Sequence, residues 1–583
     1  MTRSRLIALL LTIGAVLAWL AVKRERHPDT SSVPPYAPYV EIGGDIAPSW
    51  SSDDNTLVFC RFSAADAQLY KVPANGGTPT TFLADIPEGC LPAWSPDGSH
   101  IAFTSKHSGT FHLMRALGLA EPINIWTAGA SSDSPRQLTD ENAGFLDPSW
   151  SPDAKQIAFT ALPGPRIMTV RASGGAATLV GHGLSPDWSP DGKRLAYVSS
   201  QSGGFEAPFR IVIQSADGGR LQHLDSVVIE SNFVFRPSVD WSANGERLLA
   251  VQPETGSWQP IIVNVPEDRL ERVVRVEGSV ISPRWSHDGT RVAYAVTDTG
   301  HPPSIQVLTL ATHQTTTLTH SRGYTTAQLV RLTSSGNREI PSWLYLPPNA
   351  VLGKHPALVW LHGGLPGTGS AANEFDASIQ YFVDQGFVVL APNYRGSAGF
   401  GDELARFGEG DDIVPDVRAA ADYLKGLKAV DPTRIGAIGF SFGGYLVLRS
   451  IIQSPELFAA AVDFFGAADV LAHYQDHPAM RDRLHQLLGD TLEQNRPAYV
   501  AASPINFVER IKTPLLILHG TRDGVVSYSQ SVQLSNALRR ARKQHEFIAY
   551  RFAGHGFSGQ DDVDAKQQAM RFFLTHLKWS PTK

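Results

Sequence analysis

The hydrophobic and polar positions in the first half of the chain repeat one short phrase six times. Each copy ends a strand-like stretch on Trp, continues through a polar turn such as Ser-Pro-Asp-Gly, and resumes with an alternating stretch such as "HIAFTS". Alternation with a period of two predicts β-strands, and these turn residues favour a tight hairpin between them. The tryptophans of the six copies are Trp50, Trp94, Trp150, Trp188, Trp241 and Trp285.

The spacing of these copies indicates a ring of repeated sheets. Consecutive tryptophans lie 38 to 56 residues apart, which is near the period of a propeller blade. One small sheet cannot bury both of its faces, whereas blades stacked around a ring can. We therefore predict a β-propeller of six blades over 41–324, with a seventh blade that lacks the phrase as the alternative. Turn geometry and packing explain the repeated Asp and Trp without a binding site.

The pattern changes after about Thr325. Two stretches, "AQLVRLTSS" and "EIPSWLYLPP", predict an antiparallel pair of strands. Continuous apolar stretches then alternate with helical ones such as "PDVRAAADYLKGL", which is typical of a parallel sheet covered on both faces. The predicted strands read "PALVWLHGG", "GFVVLAPNYRG", "RIGAIGFS", "AAAVDFFGA", "PLLILHG" and "EFIAYRFAG". We assign 325–583 to a second, α/β domain.

The N-terminus carries an uninterrupted apolar run at 6–22 with basic residues on both sides. We interpret 1–26 as an export signal that stays as a membrane anchor, followed by a linker over 27–40. The alternatives are cleavage after Ala18 and a buried helix of the fold. With an anchor the protein is exported and extracytoplasmic, and periplasmic if its source is a Gram-negative bacterium. The flanking basic residues are Arg3, Arg5, Lys23, Arg24 and Arg26.

Composition narrows the function classes. The 583 residues carry a net charge of −6 without a basic stripe, so nucleic acid is not an expected partner. The chain has two cysteines, Cys60 and Cys90, which cannot build a metal cluster. They form one disulfide if the chain is exported, or remain two buried thiols. We expect no metal and no cofactor, and the oligomeric state stays open.

The stretch "GFSFGGY" matches the G-x-S-x-G pattern around Ser441. The pattern alone is weak in a chain with 51 glycines. Here it lies between the predicted strand "RIGAIGF" and the predicted helix "GGYLVLRSII", which is the context that a nucleophile elbow requires. Ser441 is therefore the predicted nucleophile of an acyl-transfer enzyme.

A serine nucleophile needs a base and an acid that orients the base. In this kind of fold the order along the chain is Ser, acid, His. His555 and Asp523 each follow a predicted strand in that order, so we assign His555 as the base and Asp523 as its partner. Asp469 is the rival acid and His519 the rival base.

The negative oxygen of the tetrahedral intermediate needs backbone N–H donors. We predict one from Phe442, the residue after the nucleophile. The other comes from the "HGG" stretch at 362–364, for which we favour the Gly364 N–H and keep Leu365 as the alternative.

Together these motifs resemble the prolyl oligopeptidase family of serine peptidases, most closely its acylaminoacyl-peptidase branch. The resemblance rests on the repeated propeller phrase followed by "LHGG", "NYRGSAGFG", "GFSFGGY", "LHGTRDGVV" and "AGHGF". It implies a propeller in front of an α/β-hydrolase domain, with the family's catalytic triad falling on Ser441, Asp523 and His555. One departure is Leu365, which stands where many members have Pro directly after the two glycines.

The resemblance implies a peptidase for short peptides, with the propeller restricting access to the site. Arg395 in "NYRGS" is a candidate for substrate contact, and its alternative is a salt bridge that holds its loop. The propeller lacks the paired glutamates by which dipeptidyl-peptidase relatives hold a free N-terminus, which favours blocked or internal peptides. A carboxylesterase on the same fold and a binding protein with an inert hydrolase domain are the competing functions.

Overall fold

The computed structural model describes residues 27–581, apart from 64–66, 85, 87–88, 106–122, 132–134, 140–143, 163, 201–208, 230–237, 365–366, 368 and 407–412. The apolar run at 6–22, on which the anchor prediction rests, lies outside the described residues. Within the described ones, no helix is long and apolar enough to cross a membrane.

The N-terminal region forms a propeller of six described blades, as the repeat predicts. Each blade is a four-stranded sheet of consecutive antiparallel strands. The strands are β1 Gly44–Trp50, β2 Thr56–Phe62, β3 Ala67–Pro73, β4 Thr80–Thr81, β5 Cys90–Trp94, β6 His100–Ser105, β7 Asn124–Gly129, β8 Arg136–Gln137, β9 Gly144–Trp150, β10 Gln156–Leu162, β11 Arg166–Arg171, β12 Thr178–His182, β13 Leu184–Trp188, β14 Arg194–Ser200, β15 Phe209–Ser215, β16 Leu221–Ile229, β17 Val239–Trp241, β18 Arg247–Glu254, β19 Ser257–Asn264, β20 Arg269–Val273, β21 Ser279–Trp285, β22 Arg291–Asp298, β23 His301–Thr309 and β24 Gln314–Thr317.

The repeated phrase forms the turn between the first two strands of every blade. In blade 2, Ser95 Oγ donates to Asp97 Oδ1 at 2.6 Å and accepts from the His100 N–H at 2.9 Å. The serine thus satisfies the turn's own polar groups, which is why Ser and Asp recur at these positions. Equivalent pairs recur in the other five blades: Ser51 with Asp53, Ser151 with Asp153, Ser189 with Asp191, Ser242 with Asn244, and Ser286 with Asp288.

The first strands of neighbouring blades contact one another and line the centre of the ring. Carboxylates on these strands link neighbouring blades. Asp187 Oδ2 accepts from the Trp241 N–H at 2.8 Å, and Asp240 Oδ2 accepts from the Trp285 N–H at 2.6 Å. These two carboxylates and the backbone of the phrase Trp residues therefore serve the architecture of the ring.

The ring closes between the first and sixth blades by packing. Trp50 Nε1 donates to Arg284 O at 3.1 Å, and the Arg291 guanidinium lies 4.7 Å from the Trp50 ring centroid. Cys60 and Cys90 form a disulfide that joins blades 1 and 2, with their Cα atoms 4.9 Å apart. Of the two states left open by the sequence, the structure has the disulfide.

The C-terminal region is built on one eight-stranded sheet of order β25-β26-β28-β27-β29-β30-β31-β32. β25 and β26 pair antiparallel, as predicted, and the strands from β28 to β32 are parallel. Their bounds are β25 Gln328–Thr333, β26 Glu339–Tyr345, β27 His355–Leu361, β28 Val388–Pro392, β29 Val430–Phe440, β30 Ala460–Phe464, β31 Leu515–Gly520 and β32 His545–Tyr550.

Helices cover both faces of this sheet, and each face has its own apolar core. The α-helices are α1 Ala37–Val40, α2 Ala377–Asp384, α3 Asp402–Ala405, α4 Val414–Gly426, α5 Phe442–Gln453, α6 Val470–Asp476, α7 Arg481–Leu488, α8 Arg496–Ala502, α9 Tyr528–Arg540 and α10 Gly559–His576. Short 3-10 helices lie at Ser335–Asn337, Ala350–Leu352, Pro478–Met480 and Pro504–Arg510.

The segment 27–40, which we predicted as a linker, packs on this domain. Tyr36 is buried against Tyr381 of α2, and the Tyr381 hydroxyl donates to Pro34 O at 2.6 Å. His27 donates to the Asp564 carboxylate at 2.6 Å and to Ala549 O at 3.3 Å. Its aromatic residues thus make it a strap on the α/β domain, which its composition did not reveal.

Blade 5 touches the α/β domain through the turn between β18 and β19. The Gly256 N–H donates to Gly399 O at 2.8 Å, and Gly256 O accepts from the Asn373 N–H at 2.7 Å. A Cβ on Gly256 would lie 2.2 Å from the Phe400 ring, so a side chain cannot be accommodated there. The propeller therefore contacts loops at the carboxyl edge of the sheet.

Candidate active site

Ser441 lies in a sharp turn between β29 and α5. Its φ of 56° and ψ of −116° are strained for a residue with a side chain. A Cβ on Gly439 would lie 2.2 Å from Gly443 O, and one on Gly443 would lie 2.2 Å from Leu361 O. Glycine is therefore required on both sides, and the turn holds the serine side chain at the carboxyl edge of the sheet.

Two other predicted residues meet Ser441 there. His555 follows β32, and its Nε2 lies 2.8 Å from Ser441 Oγ. Asp523 follows β31, and its Oδ2 lies 2.8 Å from His555 Nδ1. A carboxylate accepts, so Nδ1 carries the proton and a neutral ring leaves the Nε2 lone pair facing the serine hydroxyl. The structure thus brings all three residues into one hydrogen-bonded chain.

The Asp523 carboxylate is buried and accepts hydrogen bonds from several neighbouring groups. Its Oδ1 accepts the Val525 and Val526 N–H groups, each at 2.8 Å, and His519 Nε2 lies 3.1 Å from Oδ2. Burial by itself raises the pKa of Asp523, but the hydrogen bonds from His519 and His555 outweigh it and hold that pKa well below its usual range. Asp523 is therefore an anion throughout the working pH range.

The two rival residues have structural partners. Asp469 begins α6 and accepts the Ala472 N–H at 3.1 Å. His519 is fully buried. Its Nδ1 lies 2.6 Å from Ser531 Oγ, and its Nε2 lies 3.0 Å from Val526 O. His519 thus supports the acid loop from behind, and its ring nitrogens are directed away from the nucleophile.

The start of α5 and the loop after β27 both lie next to the serine. Phe442 is the first residue of α5, so its N–H has no partner within the helix. The loop after β27 passes beside the nucleophile, since a Cβ on Gly363 would lie 3.4 Å from Ser441 Cβ. Gly364 follows with a φ of 91°. Leu365, the alternative donor, lies outside the described residues.

His362 fixes the orientation of this loop. Its ring stacks on Tyr394 with centroids 4.3 Å apart, and burial lowers its pKa to about 4, so the ring is neutral. Its Nδ1 donates to Gly363 O at 2.8 Å, and Ser397 Oγ donates to Nε2 at 2.8 Å. Because the C=O and N–H of a trans peptide point in opposite directions, this contact turns the Gly364 N–H away from His362. Sequence reasoning treated His362 only as loop structure.

Arg395 lies in the salt bridge that we gave as its alternative role. Its Nε and Nη2 donate to the Asp416 carboxylate at 2.9 and 2.7 Å, and Asp416 is fully buried. The Arg395 N–H donates to the same carboxylate at 2.8 Å, and Ser334 Oγ also donates to it. These contacts hold the loop that carries Tyr394 and Ser397. Sequence reasoning missed Asp416, which lies 21 residues along the chain.

Comparisons with known proteins agree with this architecture. Residues 373–580 match the prolyl oligopeptidase family. The uncharacterized peptidase YuxL of Bacillus subtilis is 25% identical over 88% of this chain and 86% of its own length. Dipeptidyl-peptidase 5 of Porphyromonas gingivalis is 23% identical over 84% of this chain and 66% of its own length.

A solved structure shows the same fold over most of the chain. The Pyrococcus horikoshii acylaminoacyl peptidase superposes with a TM-score of 0.72 at 16% identity, covering 94% of this chain and 98% of that one. The curated relatives are peptidases, and the family match lies on the domain that carries Ser441. These comparisons confirm the resemblance to the prolyl oligopeptidase family of serine peptidases that the sequence motifs indicated.

Proposed function

We propose that the chain cleaves peptides through a Ser441–His555–Asp523 triad and an acyl-enzyme. Ser441 Oγ attacks the scissile carbonyl while His555 Nε2 takes its proton. His555 then returns that proton to the leaving amine, and the acyl group remains on Ser441. A water deprotonated by His555 attacks the ester, and the acid product leaves.

Asp523 and two N–H groups have supporting roles in this mechanism. Asp523 holds His555 in the tautomer that accepts from Ser441 and stabilises the imidazolium that forms. The N–H groups of Phe442 and Gly364 stabilise the oxyanion of each tetrahedral intermediate. The proposal rests on one observation, the continuous hydrogen-bond chain from Ser441 through His555 to Asp523 beside the start of α5.

We propose short peptides as the substrates, in the manner of oligopeptidases or acylaminoacyl peptidases. The relatives named above include a dipeptidyl-peptidase and an acylaminoacyl peptidase, so both free and blocked N-termini occur among their substrates. The blade 5 turn contacts the loops at the carboxyl edge of the sheet, which is consistent with a propeller that limits access to Ser441.

A fluorophosphonate probe and a substrate panel test the mechanism. We expect the probe to label the parent and the Ser529→Ala control, since Ser529 is exposed on α9. Ser441→Ala should lose labelling and lose turnover by a factor on the order of 10⁶. Labelling of Ser441→Ala equal to the parent would contradict the assignment.

The panel compares matched aminoacyl and peptidyl substrates, N-terminally free and blocked, with simple esters. We expect peptide bonds to be cleaved with a kcat/KM of about 10⁴ M⁻¹s⁻¹ or more for the best peptide. Cleavage of the esters with none of the peptides would instead establish the carboxylesterase alternative.

We also propose that the apolar run at 6–22 anchors the chain in a membrane and that the two domains lie outside the cytoplasm. The Cys60–Cys90 disulfide supports an oxidising compartment. Flotation of the full chain with lipid vesicles, resistant to alkaline carbonate, tests the anchor. Complete release by carbonate would contradict it.

A further inference from the structure

An exposed phenylalanine lies between two arginines at the edge of the α/β domain. Phe552 follows β32, the last strand of the sheet, and Arg522 lies next to Asp523 in the neighbouring loop. We propose that this Phe552 rim, made of Arg522, Arg551 and Phe552, rests on the headgroups of an anionic lipid bilayer. The proposal rests on the membrane anchor proposed above and is independent of the peptidase mechanism.

The rim has the chemistry of an interfacial contact. Phe552 is 58% exposed and has a φ of 70°, a left-handed conformation that bulky residues rarely adopt. The Arg522 and Arg551 guanidiniums lie 4.5 and 4.6 Å from its ring centroid. The backbone does not favour a bulky residue here, and more than half of the surface of Phe552 stays exposed beside the two guanidiniums. A membrane interface accommodates aromatic rings and arginines together.

The charge of the rim remains available for a partner. Among the described residues, neither Arg522 nor Arg551 has a carboxylate within ion-pair distance. Two carboxylates of α10 pair with other residues, Asp562 with Lys566 at 2.9 Å and Asp564 with His27 at 2.6 Å. Two exposed guanidiniums beside an apolar ring fit phosphate headgroups of anionic lipids.

His27, the first described residue after the proposed anchor, lies close to this rim. His27 donates to Ala549 O at 3.3 Å, and Ala549 precedes Phe552 by three residues, a span of at most about 11 Å. The five residues from the end of the apolar run at Val22 to His27 reach at most about 18 Å. The bilayer surface is therefore within reach of the rim.

The sequence between anchor and domain favours a lipid surface over other occupants. The sequence between the apolar run and His27 contains Lys23, Arg24 and Arg26, which add positive charge beside the proposed anchor. A second copy would meet the same positive charges on the partner's rim. Because the loops of Asp523 and His555 carry the rim, the contact would hold the active site at the membrane surface.

A single spin label measures this contact in the full chain. The two native cysteines are joined in a disulfide, so Phe552→Cys supplies one thiol for a nitroxide. The matched control is Val351→Cys, which is 92% exposed before the amino end of β27. Both proteins are placed in vesicles of one part phosphatidylglycerol to three parts phosphatidylcholine and in nonionic detergent, and collisions with a neutral aqueous nickel chelate are compared.

We expect the chelate accessibility at position 552 to fall at least about threefold from detergent to vesicles, while position 351 stays unchanged. Adding Arg522→Gln and Arg551→Gln to Phe552→Cys should restore the detergent value. Protection that survives loss of both arginines would overturn the charge complementarity on which the proposal stands.

The remaining outcomes distinguish the rim contact from the membrane anchor and from the peptidase mechanism. Protein that fails to float with vesicles overturns the anchor and this proposal together, whereas floating protein that stays accessible at position 552 overturns the rim contact alone. Protection in detergent that grows with protein concentration would show a second copy as the occupant. Fluorophosphonate labelling of the same samples reports the peptidase mechanism separately.

Discussion

The aspartates at the centre of the propeller and the aspartate of the active site are both enclosed, yet their pKa values move in opposite directions. Asp523 accepts four hydrogen bonds or ion pairs, from Val525, Val526, His519 and His555. Asp240 accepts one within the described residues, from the Trp285 N–H. Burial and the charge of Asp187 raise the pKa of Asp240 to about 8, while the pKa of Asp523 is held far below its usual range.

The difference shows that burial alone does not decide the charge of a carboxyl group. Desolvation disfavours the anion at both places, and the number of donors decides which effect prevails. In the active site, several hydrogen-bond donors converge on one carboxylate, Asp523, and keep it ionised. The ring centre spreads few donors over several carboxyls, and burial also raises the pKa values of Asp147 and Asp187.

The largest effect is expected at Asp523, on which the hydrogen-bond donors of the active site converge. Asp523→Asn keeps the shape of the side chain but removes the anion and favours the wrong tautomer of His555. We expect kcat to fall about 10⁴-fold with the fold retained, measured on a cleaved peptide beside circular dichroism. The matched control is the rival acid, Asp469→Asn, for which kcat should stay within about threefold of the parent. Equal losses in the two variants would remove the distinction.

The next effect concerns the cation near the ring-centre carboxyls. The charge of Arg284 lowers the pKa values of Asp147, Asp187 and Asp240 against the larger effect of burial. Arg284→Met should therefore destabilise the protein by about 2–3 kcal/mol at pH 8 and by less at pH 4, because carboxyls with raised pKa values are less ionised at the lower pH. Urea unfolding at the two pH values measures this. The exposed Arg220→Met is the control, and a loss independent of pH would contradict the electrostatic account.

Asp240→Asn should have a smaller effect of opposite sign. The folded-state pKa of Asp240 is raised above its unfolded value, so its contribution to stability is complete below about pH 4 and is lost as pH rises through about 8. Asn keeps an acceptor for the Trp285 N–H and cannot ionise. We expect Asp240→Asn to be more stable than the parent at pH 9 and equally stable at pH 4. The exposed Asp217→Asn should show no such pH dependence, and a constant difference across pH would count against the assignment.

Removing one donor should give the smallest effect. Ser185 Oγ donates to Asp147 Oδ2 at 2.9 Å, so Ser185→Ala leaves that carboxylate with less support. We expect the free energy of unfolding to fall by about 1 kcal/mol at pH 8 and by less towards pH 4. Thermal unfolding at the two pH values measures this loss. A larger loss at pH 4 than at pH 8 would show that packing, and not the carboxylate, governs this position.

Much of the fold was readable because local chemistry determines it. The residues of the Trp phrase specify their own turn, and Gly439 is required by its close contact with Gly443, four residues later. Gly443, in contrast, is required by Leu361 of a distant strand. Asp187, Asp240 and Arg284 each precede a phrase Trp and so face the opposite side of their strand. That alternation was visible, but the meeting of these side chains across blades depends on the closed ring.

Contacts between distant segments could not be predicted from the sequence, because they also depend on how the chain folds. Nothing near Arg395 indicates Asp416 as its partner, and "HGG" does not reveal that His362 orients the next peptide. The strap at 27–40 has the composition of a linker, and its tyrosines acquire a role only when α2 is placed beneath them.

The loop at 393–401 joins the two domains mechanically. On one side Gly399 O receives the N–H of Gly256 in blade 5. On the other side, the Gly367 N–H donates to Gly396 O, and the Ala398 N–H donates to Gly369 O. These bonds connect the loop to the segment that follows "HGG". A shift of blade 5 would pass through these few backbone bonds to the segment that follows Gly364, the proposed oxyanion donor. Under the proposed mechanism, the propeller would therefore act mechanically on the oxyanion site, through the position of this loop.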